Sequence, residues 1–184
     1  MANHVVVQEA AHGMLAVVDR IGPGDLTAPT PCGGWDVAGL REHLLEWGPP
    51  LEGAARKESV APGATGVPLR EQVERLAEAW GKPDAWAGTT RMGTVELPAD
   101  LVGGMVLGEF VLHGWDLARA LGAPVTWSDE ILRQLYAEIA RSADQGRAMG
   151  VYGAEVPVPQ DAPLLARCLG LSGRDPDWTP PAAP

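Results

Sequence analysis

The chain has 184 residues, of which 46% are hydrophobic and 21% are charged, and its formal net charge at pH 7 is −10. This length and apolar content are typical of one soluble globular domain. The acidic balance argues against nucleic acids and anionic membranes as partners, because binding to their phosphates requires clustered Lys and Arg.

Cysteine usage and the terminus bear on the cellular compartment. Cys32 and Cys168 are the two cysteines, and they lie far apart rather than in a C-x-x-C spacing. This is not a disulfide framework and indicates a reducing compartment. The N-terminus lacks the basic and then apolar pattern of a signal peptide, and no stretch approaches the roughly 18 apolar residues of a membrane helix. We therefore predict a cytoplasmic protein.

Two helices are predicted at the start of the chain. Apolar side chains recur at helical spacing from residue 3 to about residue 21, where a Gly-Pro-Gly segment ends the first helix. A loop rich in proline and glycine follows. Asp36 is a suitable N-cap for the second helix, which we expect to end at Trp47, before Gly48-Pro49-Pro50.

In the middle of the chain, the sequence patterns that indicate secondary structure are weaker. Residues 51–68 are predicted to form a frayed helix end followed by a mobile loop, and Arg70 to Trp80 a short amphipathic helix. The stretch 81–97 contains several glycines and the alternating Thr94-Val95-Glu96-Leu97, which predicts a short extended segment rather than a full sheet.

Three more helices are predicted in the second half. Pro98 suits the first turn of a long helix that runs to about Leu121. Ser128-Asp129-Glu130 opens another helix, which ends near Gly150. Its predicted buried stripe is Ile131, Leu135 and Ile139, with Ala143 as a further candidate. A last, short helix is predicted over residues 163–171.

These elements predict an all-α protein. We expect a four-helix bundle with short extra helices and an irregular C-terminal tail. The bundle is expected to form a single domain over residues 1–178, and residues 179–184 are expected to be disordered.

The long helix places a carboxylate and an imidazole on one face. Glu109 and His113 are four residues apart, so one side chain lies above the other in an otherwise apolar segment. His43, near the middle of the second helix, is the best candidate for a third ligand. Two His, one Glu and an open position form the ligand set of a catalytic divalent-metal site, most often zinc. The competing interpretation is a surface pair or a hydrogen-bonded couple without a metal.

Two further charged residues are candidates for supporting roles. Asp116 lies three residues after His113, on roughly the same face of the helix. It either accepts a hydrogen bond from that imidazole or pairs with Arg119 on the helix surface. Arg174 is expected to anchor the C-terminal tail by a salt bridge or a turn rather than to serve the metal pocket.

The thiols and tryptophans near these motifs have competing interpretations. Cys32 precedes the helix of His43, and a helix N-terminus can depress a thiol pKa, but no base is assigned to it and a structural role is favoured. Cys168 lies in an apolar run and is expected in the core. Trp35 and Trp115 are expected to pack the bundle rather than to touch a substrate.

Three motifs together carry a family resemblance. They are Thr30-Pro31-Cys32-Gly33-Gly34-Trp35-Asp36-Val37 with Leu40 and His43, Glu109-x-x-x-His113-Gly114-Trp115-Asp116-Leu117-Ala118, and Gly173-Arg174-Asp175-Pro176-Asp177-Trp178. The chain resembles the DinB-like metal-binding superfamily, and more closely its branch related to the N-terminal domain of mycothiol-dependent maleylpyruvate isomerase. The resemblance implies a four-helix bundle that holds its metal through residues matching His43, Glu109 and His113.

The resemblance also implies a chemistry. Members of this superfamily include thiol S-transferases and an isomerase that use mycothiol, bacillithiol or glutathione. The resemblance implies a metal that holds a low-molecular-weight thiolate, first of all mycothiol, for attack on an electrophilic small molecule. From the ligand set we expect this metal to be zinc, with nickel as the alternative. The same ligands are compatible with a hydrolase or isomerase that activates water, and with a non-catalytic metal- or ligand-binding module.

Two expectations concern the limits of the resemblance. The isomerase carries an additional C-terminal domain for which this sequence leaves no room, so we do not expect activity on maleylpyruvate itself. Exposed apolar helix faces are compatible with a monomer or a homodimer.

Overall fold

Helices make up most of the structure, a computed structural model that describes residues 2–63 and 66–181. The helices are α1 (Asn3–Val18), α2 (Val37–Ala55), α3 (Leu69–Trp80), α4 (Ala99–Gly108), α5 (Gly114–Ala120), α6 (Asp129–Ala148) and α7 (Leu164–Leu171). A π-helical turn, Glu109–His113, joins α4 to α5. Short 3-10 turns occupy Pro23–Asp25 and Pro83–Trp86, and strands β1 (Thr89–Met92) and β2 (Val95–Pro98) form an antiparallel hairpin.

Four helical segments form the bundle. α1 and α2 each pack against α3 and against the rod made by α4, the π turn and α5. α6 packs outside this bundle against α1 and α4, and α7 packs against α6. Large side chains from several helices, among them Met14, Leu40, Phe110 and Leu135, are fully buried in one continuous core. The prediction of an all-α bundle is confirmed.

Several predicted elements are found close to their predicted bounds. Asp36 caps α2 by accepting a hydrogen bond from the Gly39 N–H at 2.8 Å. Ser128 caps α6. The predicted apolar stripe of α6 is buried, and its members are Ile131, Leu135, Ile139 and Ala143. Of the predicted disordered tail, residues 179–181 have no regular secondary structure and residues 182–184 lie outside the described residues.

The predicted end of α2 is wrong. The helix does not stop at Trp47 but continues through Pro49 and Pro50 to Ala55, so residues 51–55, predicted as part of a frayed helix end and a mobile loop, are regular helix. A proline inside a helix removes an N–H donor and leaves a carbonyl one turn earlier without its partner. Here the Glu46 carbonyl accepts a hydrogen bond from the Gly63 N–H at 3.0 Å instead. Both prolines are buried, and packing outweighs the lost helix hydrogen bonds.

The hairpin fixes how α2 and α4 lie relative to each other. The Thr90 hydroxyl in β1 donates a hydrogen bond to the Ala54 carbonyl near the end of α2. β2 leads directly into Ala99, the first residue of α4. The end of α2 therefore lies beside the beginning of α4, and the two helices run antiparallel.

The α4–α5 rod is the most apolar helix of the molecule. Among the described residues, the segment Ala99–Ala120 alone is long and apolar enough to cross a membrane, with a mean hydropathy of 1.2 in its most apolar window. Of that window, 83% is buried inside the fold. The rod is therefore the core helix of the bundle.

Candidate metal centre

Three side chains from two antiparallel helical segments meet between α2 and the rod. Glu109 Oε2 lies 3.5 Å from His43 Nε2 and 3.6 Å from His113 Nε2. Donor atoms of all three residues lie within 4.8 Å of one another. Ligand atoms about 2.0–2.2 Å from a tetrahedral zinc ion stand roughly 3.3–3.6 Å apart. The observed separations from Glu109 match the edges of such a tetrahedron.

The Glu109 carboxylate provides the test of whether a metal fits. Its Oε2 atom is buried and has no hydrogen-bond partner within the described ranges. Both imidazole nitrogens lie beyond the roughly 2.7–3.2 Å of an N–H···O hydrogen bond. A buried carboxylate oxygen without a partner is costly, whereas a cation between it and the two imidazoles would satisfy it. The three residues therefore fit a divalent metal.

The backbone that carries two of these side chains is not the predicted α-helix. Residues Glu109–His113 form a π turn, while the helix continues before it as α4 and after it as α5. Single π turns inside α-helices occur frequently at functional sites. The four-residue spacing of Glu109 and His113 was visible in the sequence. No local sequence pattern predicts the π turn between them.

Asp116 contacts the His113 imidazole on the nitrogen that faces away from Glu109. Its Oδ2 atom lies 3.0 Å from His113 Nδ1, and its side chain is fully buried. In the neutral imidazole with its proton on Nδ1 and donated to Asp116, which is the form that binds a metal, the Nε2 lone pair of His113 faces Glu109 and His43. The alternative partner, Arg119, instead donates to the Trp178 carbonyl.

Arg174 completes a buried network behind this imidazole. Its Nε donates to Asp116 Oδ1 at 3.0 Å, and its Nη2 donates to Asp116 Oδ2 at 2.9 Å. Arg174 does anchor the tail by a salt bridge, and that salt bridge is made to the residue that orients His113. Local sequence patterns do not predict this link, because the two residues are 58 positions apart.

A tight turn delivers Arg174 to this position. Gly173 has φ of +85°, in the left-handed region that favours glycine. A Cβ at this residue would lie 2.5 Å from Gly153 Cα. Glycine is therefore the residue that permits both the turn and the close backbone contact.

Cys32 belongs to a second cluster of metal-ligating atoms, with His113 and Asp116. The Arg174 guanidinium already contacts both Asp116 oxygens, and its positive charge disfavours a cation at this cluster. The half-buried Cys32 thus lies beside the candidate metal centre rather than within it. Cys168 is a core residue as predicted, and burial raises the pKa of its thiol to about 12.

Trp35 occupies a different position from the one predicted. It is 38% exposed, and its ring centroid lies 4.7 Å from that of His43 and 6.5 Å from that of His113. The loop that carries it is closed by hydrogen bonds from the Thr30 N–H and hydroxyl to the Trp35 carbonyl, at 3.1 and 2.9 Å. Trp35 therefore covers the candidate metal centre, whereas Trp115 is buried in the bundle as expected.

Comparison with known proteins places the chain in a family. Residues 7–118 match the family model described as the mycothiol maleylpyruvate isomerase N-terminal domain. The chain belongs to this family. The matched segment is more than half of the chain and includes the positions of all three candidate ligands. The recognised resemblance to the DinB-like superfamily is thereby confirmed at the level of this branch.

Individual relatives agree with this assignment. An uncharacterized protein of Mycobacterium tuberculosis, found in strains CDC 1551 and H37Rv, is 25% identical over 178 residues, which cover 91% of this chain and 94% of the relative. The crystal structure of the mycothiol-dependent maleylpyruvate isomerase matches with a TM-score of 0.53 and 21% identity over 78% of this chain and 71% of that chain. A His-to-Ala mutant of that enzyme matches with a TM-score of 0.51 and 20% identity. At these identities the structural likeness shows the shared fold.

Electrostatic interactions in the candidate metal centre favour the charged form of His113 when no metal is bound. Burial disfavours the charged form of His113, but the Glu109 carboxylate and hydrogen bonds to Asp116 and Cys32 outweigh it and raise the pKa of His113 to about 9. Burial likewise opposes ionisation of Glu109, yet the facing His113 charge holds the pKa of Glu109 below its usual value. A metal must therefore displace a proton from His113.

This raised pKa predicts a pH dependence of stability for the metal-free protein. The charged His113 stabilises the fold fully below pH 6.5, the ordinary histidine value, and this contribution is lost as the pH rises to about 9. We expect the difference in melting temperature between the wild type and His113→Gln to shrink across that interval. Thermal unfolding of both proteins in chelator measures it, and a difference that is constant with pH contradicts the assignment.

Asp116 provides a second prediction at this site. We expect Asp116→Asn to weaken zinc binding about 10–100-fold, because the amide no longer supplies the charge that strengthens His113 as a donor. Competition with a chromogenic chelator measures the affinity. Asp144→Asn, at a fully exposed position on α6, is the matched control and should bind zinc like the wild type. If folded Asp116→Asn binds zinc as tightly as the wild type, the Asp116 carboxylate does not strengthen metal binding by His113.

Proposed function

We propose that the chain is a divalent-metal-dependent thiol S-transferase. In this proposal His43, Glu109 and His113 hold the metal, zinc first and nickel second, and a low-molecular-weight thiol of the mycothiol type is the co-substrate. The thiolate attacks an electrophilic small molecule, a carbon–sulfur bond forms, and the leaving group departs with its electron pair. The observation that carries the proposal is the buried, unpartnered Glu109 oxygen facing two imidazole Nε2 atoms.

The residues around the centre have separate roles in this reaction. A divalent metal held there would lower the pKa of a bound thiol and supply the nucleophile at neutral pH. Three protein ligands leave one position for that thiol. Asp116 and Arg174 fix the orientation of His113 from behind. Trp35 covers the rings of both histidines and limits the access of water from its side.

Access to the centre is open on one side. The side chains of His43 and Glu109 are each 20% exposed, whereas Asp116 behind them is fully buried. The candidate centre therefore lies close to the protein surface on the side of His43 and Glu109. The family assignment and the fold shared with a mycothiol-dependent isomerase support mycothiol as the first thiol to test.

The test is conjugation of 1-chloro-2,4-dinitrobenzene by zinc-loaded protein with mycothiol, bacillithiol, glutathione or cysteine. We expect formation of the thioether and release of chloride, both dependent on thiol and zinc. Turnover of a substrate panel without thiol would favour the alternative, a metal-dependent hydrolase or isomerase. Metal binding with no turnover of any substrate would favour a non-catalytic module. Either result contradicts the transferase assignment.

The proposal has consequences for the context in which the protein acts. It places a single domain, residues 1–178, in the cytoplasm with small-molecule partners, a thiol and an electrophile. Nucleic acid and membrane are not part of it. Both a monomer and a homodimer are compatible with one metal centre per chain.

A further inference from the structure

Some of the exposed apolar side chains lie near the candidate metal centre. Six large hydrophobic side chains are exposed in the described part of the chain: Trp35, Trp47, Val95, Met105, Met149 and Val151. Trp35 covers His43, as described above. Trp47 and Met105, which are 39% and 41% exposed, each lie one helical turn from a candidate ligand.

Trp47 and Met105 lie opposite each other across the boundary between α2 and α4. Trp47 follows His43 by four residues on α2, and Met105 precedes Glu109 by four residues on α4, so each shares a helix face with its ligand. His43 and Glu109 are in direct contact at 3.5 Å. Because the helices run antiparallel, one turn forward on α2 corresponds to one turn back on α4. Both side chains therefore lie about 6 Å along the helices from the ligands, on the same side of them.

The burial pattern of the rod singles out this surface. From residue 102 to residue 113, every residue is buried except Met105 and Glu109. The rod thus reaches the surface in this region through one apolar side chain and one candidate ligand. An exposed apolar surface beside a candidate metal centre is a candidate for binding the apolar part of a small molecule.

The charges around Trp47 and Met105 restrict what can bind there. No Lys or Arg occurs between Arg41 and Arg56, or between Arg91 and Arg119. Glu46, directly before Trp47, is exposed. An anionic ligand beside Trp47 would therefore meet this carboxylate without a compensating cation from either helix.

We propose that Trp47 and Met105 form a subsite for the uncharged, flat, apolar body of the electrophile. The subsite deepens the proposed transferase function and rests on it for the identity of the reacting partner. The Trp47 indole offers a stacking face for an aromatic ring, and the Met105 thioether offers a polarisable contact on the opposite side. A ligand held there has its reactive atom one helical turn from the candidate metal ligands.

Binding of two unreactive probes tests the subsite without turnover. The probes are 1,3-dinitrobenzene, which is uncharged, and 3,5-dinitrobenzoate, which carries a carboxylate on the same ring. Calorimetric titration of the full chain, with and without zinc, gives their affinities. We expect 1,3-dinitrobenzene to bind to both forms of the protein, and to bind about tenfold or more tightly than the benzoate in the zinc-free form, where no metal can hold the carboxylate.

Three variants locate the binding on the structure. We expect Trp47→Ala and Met105→Ala each to weaken binding of 1,3-dinitrobenzene about tenfold, and Trp47→Phe to retain most of it. Met149→Ala, at an exposed methionine just after α6, is the matched control and should bind like the wild type. Equal affinity of the zinc-free protein for both probes, or unchanged affinity for 1,3-dinitrobenzene in Trp47→Ala, overturns the proposal. It is also overturned if Trp47→Ala converts a dimer to a monomer in sedimentation without weakening probe binding, since a second chain would then cover the surface.

The test of the subsite and the test of the transferase proposal can fail independently. If the protein holds zinc and conjugates electrophiles but the variants bind the probe normally, the subsite is wrong and the transferase stands. If the variants lose the probe but the wild type takes up no zinc, the subsite stands and the metal-dependent transferase is wrong.

Discussion

Replacement of His43 by Ala is expected to weaken zinc binding by more than about 100-fold and to abolish thiol-dependent turnover. Loss of an outer hydrogen-bond partner of a metal ligand typically costs about 10–100-fold in affinity, and loss of a ligand removes a coordinate bond outright. Only Glu109 and His113 would remain, both on the rod. Chelator competition measures the affinity, and the transferase assay measures the turnover.

The matched control for this variant is His12→Ala. His12 is an exposed histidine on α1, and its replacement should leave zinc affinity and turnover unchanged. Because the His43 side chain is 20% exposed, its truncation should leave the bundle folded. Folded His43→Ala that binds zinc like the wild type would show that α2 supplies no ligand.

Replacement of Arg174 by Met is expected to lower the free energy of unfolding by about 3–5 kcal/mol. The variant leaves the fully buried Asp116 carboxylate without its bidentate partner, and breaking a buried ion pair from one side is strongly destabilising. Urea unfolding of the metal-free protein measures the change. A loss below about 1 kcal/mol would contradict the assignment of Arg174 and Asp116 as a tightly coupled pair.

Two further variants separate this effect from a general loss of arginine. Arg133→Met removes an exposed ion pair with Asp129, so we expect a change within about 0.5 kcal/mol. The double variant Arg174→Met, Asp116→Leu removes both charges at once and should recover part of the lost stability. Additive losses in the double variant would contradict a direct interaction.

Local features of the sequence were sufficient to predict the bundle and the composition of the candidate site. Glu109 and His113 are four residues apart on an apolar helix, a spacing that any helical turn converts into one face. The caps at Asp36 and Ser128 and the apolar stripe of α6 are local as well, and all three are found in the structure. His43 was the weakest inference from spacing, because its approach to the rod depends on the packing of two helices.

Features that depend on tertiary contacts could not be predicted in the same way. The helix through Pro49 and Pro50 depends on burial against the bundle and on a hydrogen bond from Gly63 to the Glu46 carbonyl. The contact between Arg174 and Asp116 depends on a tail that returns across the molecule. Trp35 lies over His43 because of the closed loop that carries it, whereas its residue type alone suggested burial.

The metal content of the purified protein tests the central claim most directly. Elemental analysis after loading with zinc and removal of free ions should find about one zinc per chain in the wild type and none retained in His43→Ala or His113→Ala. Zinc retained equally by all three proteins would place the metal elsewhere. A wild type without metal after loading would make the three side chains a structural cluster and would contradict the proposed transferase.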